Sequence, residues 1–305
     1  MPDPRPVRRI LFITLSNIGD AVMTTPALQL VHETFPSARV DIVCDPRSHD
    51  IFVHCPFRGA LIFKEKRRGL AGTLQLIRRL RREVYDLIVD VRTDGLAWLL
   101  CARRRLTKKR PSAGARHAVQ QHAAVVAPLA GARPPAMRLW LDDAIRDKAR
   151  LWVNELRAES ILAIAPGANW LAKIWPAARF RELADRVADL VDGYVLVGSR
   201  EDRSLGAELA LGLKRPCLNL CGKTSLLEAG AVLERCTAFV GNDSGLGHLA
   251  AAAGTRTLTI FGPGDPERYR PWGAQSVWVA SADREITSLA SEPAVGALRR
   301  LLASR

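Results

Sequence analysis

The sequence predicts an α/β protein with two domains, each a parallel sheet wound with helices on both faces. Its 305 residues exceed the size that one hydrophobic core usually organises. Short β-branched apolar runs alternate with amphipathic stretches along the whole chain, which is typical of parallel sheets. A hydrophobic content of 48% and a charged content of 25% are those of an ordinary folded protein. Two such domains are expected to face each other across a ligand cleft at the carboxyl ends of their strands.

The first predicted domain covers residues 1–155. Its strands are expected at Arg9–Leu15, Arg39–Cys44, Ala60–Phe63 and Asp86–Val91, where β-branched and aromatic residues cluster. Helices are expected between them, at about 20–34, 69–84 and 94–104. The stretch Pro128–Pro135 is predicted to be a loop in this domain or the start of the linker, because proline and glycine interrupt helices and strands.

The second predicted domain covers residues 156–305. A charged helix from Asp142 to about Arg157 connects the halves, and a new apolar strand starts at Ile161. Strands are predicted at Ile161–Ala165, Tyr194–Val197, Cys217–Leu220, Ala238–Gly241, Thr257–Phe261 and Val277–Val279. Helices are predicted at about 177–191, 201–212, 224–235, 245–253 and 287–303. The pattern leaves open whether the last helix packs back on the first domain.

The formal charge of +14 is concentrated in the first half of the chain. Residues 1–157 hold 28 lysines and arginines against 15 acidic residues, whereas residues 158–305 hold 17 against 16. The basic residues form dense clusters at 64–68, 78–82, 103–105 and 108–110. Such one-sided charge indicates an anionic partner, which is a nucleic acid, an anionic membrane or an acidic glycolipid. The alternative is a solvated basic surface without a partner.

Cysteine spacing and hydropathy favour a cytoplasmic protein. The six cysteines include no Cys-x-x-Cys pair and have neither disulfide-framework nor zinc-site spacing, which fits a reducing compartment. The apolar stretch after Arg8 and Arg9 is short and lacks a small-residue cleavage site, so a buried strand is predicted instead of a signal peptide. Because no run of about 18 apolar residues occurs, no membrane span is expected.

A first candidate site follows the first strand. Asn17, Ile18, Gly19 and Asp20 form a strand–turn–helix junction at the mouth of the predicted cleft. Gly19 permits a tight backbone. Asp20 is either the N-cap of the following helix or a carboxylate that acts as general base. No Gly-x-Gly-x-x-Gly fingerprint of a dinucleotide site occurs there.

A second candidate site begins where the strand Ile161–Ala165 ends. The loop that follows contains Gly167, and Lys173 lies shortly before Pro176, which suits the first turn of the next helix. A cation in a loop at the carboxyl end of a strand can meet a diphosphate. The alternative is an ordinary surface lysine.

The strongest local signal is the segment Ala238–Ala251, in which an apolar strand enters a glycine-bearing turn and a helix of small residues follows. Gly245 and Gly247 allow a ligand to approach the backbone, and the free N–H groups at the helix start attract phosphate. Asp243 is either the cap of this helix or part of the site. His248 is either packed within the helix or directed at the same ligand.

With these motifs the chain resembles glycosyltransferase family 9, the ADP-heptose:lipopolysaccharide heptosyltransferases. The matching motifs, in order along nearly the whole chain, are Asn17-Ile18-Gly19-Asp20, Lys173 with Trp175-Pro176, Gly198-Ser199 with Asp202, Cys221-Gly222-Lys223-Thr224-Ser225-Leu226, Asn242-Asp243-Ser244-Gly245 with His248 and Ala250-Ala251-Ala252, and Gly262-Pro263 with Asp265-Pro266. The specific part of the match is Asp-Ser-Gly-x-x-His together with Lys-x-Trp-Pro.

The resemblance implies a GT-B fold of two Rossmann-like domains, with the acceptor bound mainly by the first and the nucleotide sugar by the second. It implies an inverting transfer that needs neither metal nor cofactor, since the ADP-sugar is itself a substrate. Asp20 then matches the base that takes the acceptor proton, and Lys173 matches the lysine that neutralises the leaving diphosphate. The expected donor-binding residues are Gly167, Asn169, Ser199, Ser225, Asp243, Ser244, Gly245 and His248, and the expected acceptor-binding residues are Asn17, Gly19 and Arg92.

The function implied is heptosyl transfer from ADP-heptose to the lipopolysaccharide inner core, by a peripheral protein at the inner face of the cytoplasmic membrane. A family 9 transferase with another nucleotide-sugar donor or a surface-glycan acceptor is the alternative within this class. The charge alone also suggests a nucleic-acid-binding protein, but the basic clusters lack interleaved aromatic residues and no nucleic-acid module is recognisable. A non-catalytic sugar-nucleotide binder is disfavoured by the presence of Asp20 and Lys173.

Overall fold

The chain folds into two compact units, each built around one parallel sheet. The computed structural model describes residues 6–64, 69–92, 95–108, 115–131 and 133–303. Unit 1 covers Met1–Trp140 and unit 2 covers Leu141–Arg305. Every strand pair recorded in the described residues is parallel, so the predicted α/β class with two parallel sheets is confirmed.

Unit 1 has its most apolar strand at the centre of the sheet. Its strands are β1 (Arg9–Ile13), β2 (Arg39–Cys44), β3 (Arg58–Phe63), β4 (Tyr85–Asp90) and β5 (Ala102–Thr107), and its helices are α1 (Ile18–Val22), α2 (Thr25–Thr34), α3 (Asp50–Val53), α4 (Gly69–Leu80) and α5 (Ala118–Ala130), with a 3₁₀ helix at Leu96–Leu99. The strand order is β3-β2-β1-β4-β5. Ile10 to Ile13 of β1 are fully buried, as expected for a strand covered on both faces.

Unit 2 repeats this architecture with one more strand. Its strands are β6 (Ile161–Ala165), β7 (Gly193–Leu196), β8 (Cys217–Asn219), β9 (Ala238–Asn242), β10 (Arg256–Phe261) and β11 (Ser276–Ala280), and its helices are α6 (Asp143–Asn154), α7 (Ala177–Arg186), α8 (Arg203–Ala210), α9 (Leu226–Glu234), α10 (Gly245–Ala252), α11 (Pro266–Tyr269) and α12 (Ser291–Ala303), with 3₁₀ helices at Leu171–Lys173 and Ile286–Ser288. The strand order β11-β10-β9-β6-β7-β8 reverses between β6 and β9. In unit 1 the corresponding reversal lies between β1 and β4.

The helix predicted at 20–34 is in fact two helices, α1 and α2. Pro26 has no N–H group to donate, and its ring excludes the carbonyl four residues earlier, so a continuous helix cannot pass this point. The hydroxyl of Thr24 donates to the Ala21 carbonyl at 2.7 Å, and that of Thr25 donates to the Val22 carbonyl at 2.8 Å. These two side chains satisfy carbonyls at the end of α1.

The prediction of a helix at 94–104 is wrong. Part of this stretch is the 3₁₀ helix Leu96–Leu99, and the arginines that follow belong to β5, which pairs with β4 at the edge of the sheet. Arginine favours helices by intrinsic propensity. The open edge of β4 supplies backbone hydrogen-bond partners, however, and charged side chains are suited to an edge strand.

The stretch Pro128–Pro135, predicted as a loop, begins inside helix α5, which the sequence analysis did not predict. Nδ1 of His117 accepts from the backbone N–H of Val119 at 3.2 Å, and Gln120 completes the capping box. Pro128 lies in the last turn of the helix, which ends at Gly131 with a positive φ of 79°. A histidine cap is a weak sequence signal, because Ser, Thr, Asp and Asn are the usual caps.

Helix α6 packs within unit 2, whereas the predicted boundary at residue 155 assigned it to the first domain. Its Ala149 and Val153 are buried. Its Arg146 pairs with Glu234 of α9 at 3.0 Å, and its Lys148 pairs with Glu228 of α9 at 2.5 Å. The last helix, α12, packs on α7, β10 and β11 of its own unit.

The arginine clusters lie on two elements of unit 1. Arg78 and Arg79 lie in the last turn of α4, and Arg103, Arg104 and Arg105 lie in β5. Of the other two basic clusters, residues 65–68 and 109–110 lie outside the described residues. Among the described helices, none combines the length and hydropathy that a membrane span requires.

Candidate functional site

The largest group of predicted site residues lies in unit 2, at the carboxyl ends of β6 and β9. These two strands are neighbours in the sheet, and the strand order reverses between them. Ligands of open parallel sheets bind beside such a reversal, because the flanking helices lie on opposite faces and leave a crevice. The loop that carries Lys173 follows β6, and helix α10 follows β9.

Lys173 and Asp243 form an ion pair at this reversal. The Lys173 Nζ lies 2.5 Å from the Asp243 Oδ2. The side chain of Asp243 is 8% exposed and that of Lys173 is 27% exposed. The positive charge of the ammonium group therefore compensates the negative charge of an almost buried carboxylate. Asp243 is not the cap of α10, because Ser244 is the N-cap residue of that helix.

Gly264 leaves room for the Asp243 carboxylate. A Cβ atom on Gly264 would lie 2.5 Å from the Asp243 Oδ2 and 2.9 Å from the Phe261 ring. Because Phe261 is fully buried at the end of β10, that contact could not relax easily. A glycine at this position therefore supports the geometry of the ion pair.

Asn242 ties the lysine loop to β9. Its Nδ2 donates to the Pro166 carbonyl at 2.8 Å, and its Oδ1 accepts from the backbone N–H of Trp175 at 3.0 Å. Trp175 is fully buried, and its Nε1 donates to the Leu289 carbonyl at 2.9 Å. The loop is held at both ends, so Asn242 and Trp175 position Lys173. Both residues belong to the family motifs of the sequence, but neither was among the predicted site residues.

Ser244 stands at the start of α10 without capping it. Its backbone is extended, with φ −147° and ψ 171°, and its side chain makes no cap hydrogen bond. Within the described residues its buried Oγ has no hydrogen-bond partner. Gly245 begins the helix, and His248 is buried one turn further along. A free hydroxyl beside the N–H groups of a helix start suits an anion.

Gly167, Ser199 and Asp202 form a second contact between loops of this edge. A Cβ atom on Gly167 would lie 1.8 Å from the Asp202 Oδ1, so the carboxylate packs directly on this backbone. The Asp202 Oδ2 accepts from both the backbone N–H and the hydroxyl of Ser199, each at 2.8 Å. The Ser199 hydroxyl is thus engaged by Asp202, a residue of the same motif that the sequence did not place in the site. Asn169 is exposed in the loop after β6.

Ser225 has a structural role as the cap of α9. Its Oγ accepts from the Glu228 N–H at 3.3 Å, and its own N–H donates to the Glu228 Oε2 at 2.7 Å. Burial alone would raise the pKa of Glu228, but hydrogen bonds from Lys148 and Ser225 lower the pKa below its ordinary value. Ser225 follows β8, which lies two strands from β6 in the sheet.

The predicted acceptor residues lie at the reversal point of unit 1. Asp20 is in the first turn of α1, and Asn17, not Asp20, is the N-cap residue. The Asn17 Nδ2 donates to the Asp20 Oδ2 at 2.9 Å, and Gly19 precedes Asp20 in α1. Arg92 follows β4, whose last residue pairs in register with Ile13 of β1. Asp20 is half-buried and does not cap the helix, so its carboxylate is suited to a ligand.

The cysteines are free thiols that do not take part in these groups. Burial raises the pKa of the Cys221 and Cys236 thiols to about 12, which makes both poor nucleophiles at neutral pH. In the described part of the chain, no three His, Cys, Asp or Glu side chains cluster as metal ligands would.

One family model and several known proteins are similar to this chain. The model described as glycosyltransferase family 9 (heptosyltransferase) matches residues 95–294. The lipopolysaccharide heptosyltransferase 1 of Pseudomonas aeruginosa is 29% identical over 309 residues, which cover 90% of this chain and 84% of the relative.

Two solved structures share the fold. A glycosyltransferase family 9 protein from Veillonella parvula DSM 2008 has a TM-score of 0.86 at 20% identity and covers 98% of both chains. The E. coli ADP-heptose lps heptosyltransferase II has a TM-score of 0.78 at 21% identity, over 96% of this chain and 98% of that chain. These likenesses confirm the predicted GT-B type of fold.

Proposed function

This chain belongs to glycosyltransferase family 9 (heptosyltransferase), and from this membership we propose that it transfers heptose from ADP-heptose to the lipopolysaccharide inner core. The names of its relatives motivate the donor and the acceptor, since one is a lipopolysaccharide heptosyltransferase and another an ADP-heptose enzyme. The observation that carries the proposal is the Lys173–Asp243 pair beside the start of α10. A cation beside a helix N-terminus supports this function, because both would stabilise the negative charge that a diphosphate leaving group gains.

Lys173 and the start of α10 are proposed to hold the donor diphosphate. An ammonium group has three donor hydrogens, and the hydrogen bond to Asp243 uses one of them. The others are proposed to meet phosphate oxygens, together with the Ser244 hydroxyl and the first N–H groups of α10. Asp202 follows β7, where the carboxylate of a dinucleotide-type fold binds ribose hydroxyls. Lys173, the Ser244 hydroxyl and the N–H groups of α10 are proposed to stabilise the departing ADP, so that neither a metal nor a cofactor is required.

Asp20 is proposed to act as the general base. The acceptor hydroxyl oxygen attacks the anomeric carbon, its proton passes to Asp20, and the bond from that carbon to the phosphate oxygen breaks. A single displacement of this kind inverts the anomeric centre. The hydrogen bond from Asn17 to the Asp20 Oδ2 orients the carboxylate and leaves its other oxygen for the acceptor.

Unit 1 is proposed to bind the anionic acceptor at the inner face of the cytoplasmic membrane. Residues 1–140 hold 24 lysines and arginines against 11 acidic residues, which suits the carboxylates and phosphates of a glycolipid. The protein is therefore proposed to be peripheral and to bind no nucleic acid.

The deciding assay measures ADP release from a panel of nucleotide sugars, with and without Kdo-lipid A or heptosylated core. We expect turnover with ADP-heptose only when an acceptor is present. Asp20→Asn is expected to lower kcat about a hundredfold to ten-thousandfold, because it removes the base. ADP affinity should be unchanged in this variant.

Asp50→Asn is the matched control, because Asp50 lies in the first turn of another short helix of unit 1. Its turnover should equal that of the wild type. Near-normal turnover of Asp20→Asn would refute the base assignment. Turnover with a different nucleotide sugar alone would refute the donor but leave the glycosyltransferase class intact.

A further inference from the structure

We propose that one face of unit 1 docks on an anionic lipid bilayer. This docking face consists of Leu70, Leu74 and Arg78 on α4 and of Trp98 and Leu99 on the 3₁₀ helix Leu96–Leu99. The inference deepens the proposed function, because a glycolipid acceptor lies in a membrane. It can be tested without any sugar substrate, so the two proposals can fail separately.

The docking face exposes large apolar side chains. Leu70, Leu74, Trp98 and Leu99 have exposed fractions between 53% and 85%. A single exposed leucine is ordinary in a folded protein. Two pairs of such residues on elements that share one core cluster are not scattered in this way, and grouped exposed apolar side chains are typical of interaction surfaces.

Both elements lie in one layer over the sheet of unit 1. Leu76 and Leu80 of α4 share one buried core cluster with Leu96 and Leu100, which belong to the 3₁₀ helix and its end. The sides opposite this core therefore point away from the same face of the unit. On α4, Leu70, Leu74 and Arg78 follow at intervals of four residues and fall within about 80° of arc.

Arg105 holds the 3₁₀ helix in place from β5. Its guanidinium donates to the Ala97 carbonyl at 2.9 Å and to the Leu100 carbonyl at 2.6 Å. It also lies 6.0 Å from the centre of the Trp98 ring. Trp98 is thus presented on a braced element, and an amphipathic ring of this kind is suited to a membrane–water interface.

Charge complementarity selects an anionic bilayer as the partner. Arg78, Arg79, Arg81 and Arg82 are exposed at the end of α4. Each arginine close to an anionic membrane strengthens binding about fivefold. A nucleic acid would use the arginines but not the exposed leucines, whereas a lipid surface uses both.

The test is sedimentation of the full chain with vesicles of phosphatidylcholine, with and without phosphatidylglycerol. We expect binding to the anionic vesicles only, weakened by added salt. The double variant Leu70→Glu/Leu74→Glu should lower the partition coefficient at least about tenfold, because it removes two apolar groups from the interface. The charge-matched control is Leu151→Glu/Leu211→Glu, which alters two exposed leucines of unit 2 and should bind as the wild type does.

Quenching by brominated lipids locates the contact. Trp98→Phe should abolish most of the quenching of tryptophan fluorescence, whereas Trp278→Phe, at an exposed tryptophan of β11 in unit 2, should preserve it. Equal vesicle binding by the two double variants, or undiminished quenching in Trp98→Phe, would overturn the proposal. If Leu70→Glu/Leu74→Glu converts a dimer to a monomer while vesicle binding stays unchanged, the docking face binds a second copy of the chain, and the proposal is also overturned. Turnover with a soluble acceptor should be the same in all these variants.

Discussion

Replacing Lys173 with methionine tests whether its ion pair with Asp243 stabilises the donor site. The variant leaves a buried carboxylate without its cation, whereas Asp243→Asn leaves a lysine that water can reach. Breaking a buried pair costs about 3–5 kcal/mol, and an exposed pair contributes at most about 1 kcal/mol. Because Lys173 is partly exposed, we expect Lys173→Met to lower the free energy of unfolding by about 2 kcal/mol. Asp243→Asn should lower it by about 1 kcal/mol.

Urea unfolding of the wild type, both single variants and the double variant measures this interaction. The double variant should cost less than the sum of the single variants, with a coupling energy of about 1–2 kcal/mol. The control cycle uses Arg181 and Glu208, an exposed pair at 3.9 Å, for which we expect coupling below about 0.5 kcal/mol. If the Lys173–Asp243 cycle is as additive as this control, the ion pair does not stabilise the fold.

The same variants should change ADP affinity in opposite directions. Lys173→Met removes the cation that faces the diphosphate, so ADP should bind more weakly. Asp243→Asn removes a carboxylate that repels the diphosphate and competes for the lysine, so ADP should bind more tightly. Calorimetric titration measures both effects. Weaker binding in both variants would refute the proposed competition.

Two further predictions concern the packing of unit 2. Glu228→Ala should lower the free energy of unfolding by about 1 kcal/mol at pH 7, because it removes the capping box with Ser225 and the ion-pair partner of Lys148. The control variant Glu208→Ala, at an exposed glutamate, should have little effect. The pKa of Glu228 is lowered in the folded protein, so this carboxylate stabilises the fold at pH values above the ordinary glutamate range. The stabilisation should be lost as the pH falls through the lowered pKa. If urea unfolding shows a difference between wild type and variant that does not depend on pH, this prediction is contradicted. The buried Cys236 thiol should resist alkylation in the native protein at pH 8 and should react in urea, which mass spectrometry can measure. Rapid labelling of the native protein would be incompatible with the burial of this thiol.

The strand pattern of the sequence predicted most of the fold. Buried parallel strands such as Ile161–Ala165 are continuous apolar runs, so they stand out from their surroundings. The failures lie where tertiary contacts override local preference. Strand β5 is rich in arginine and exists because β4 has a free edge. Helix α5 begins at a histidine cap that sequence rules do not favour.

The motifs predicted which loops form the candidate site but not how their side chains pair. Ser199 and Ser225 were expected to bind donor, and the structure adds hydrogen bonds that spacing does not reveal, since Ser199 donates to Asp202 and Ser225 caps α9. Hydroxyl groups are common in both ligand sites and caps, so spacing alone cannot separate the two roles. For Asp20 the sequence left open a helix cap or a general base, and the structure shows Asn17, not Asp20, at the N-cap position.

The sequence by itself determined the α/β class, the positions of most strands and the family, because the apolar runs and motifs on which they depend are local segments of the chain. Only the tertiary structure decided that Lys173 meets Asp243, which lies 70 positions further on. It also decided that Leu76 of α4 and Leu96 of the 3₁₀ helix share one core cluster of unit 1. The physical reason is strand order. Parallel strands pair out of chain order, and that order sets which loops and helix faces become neighbours.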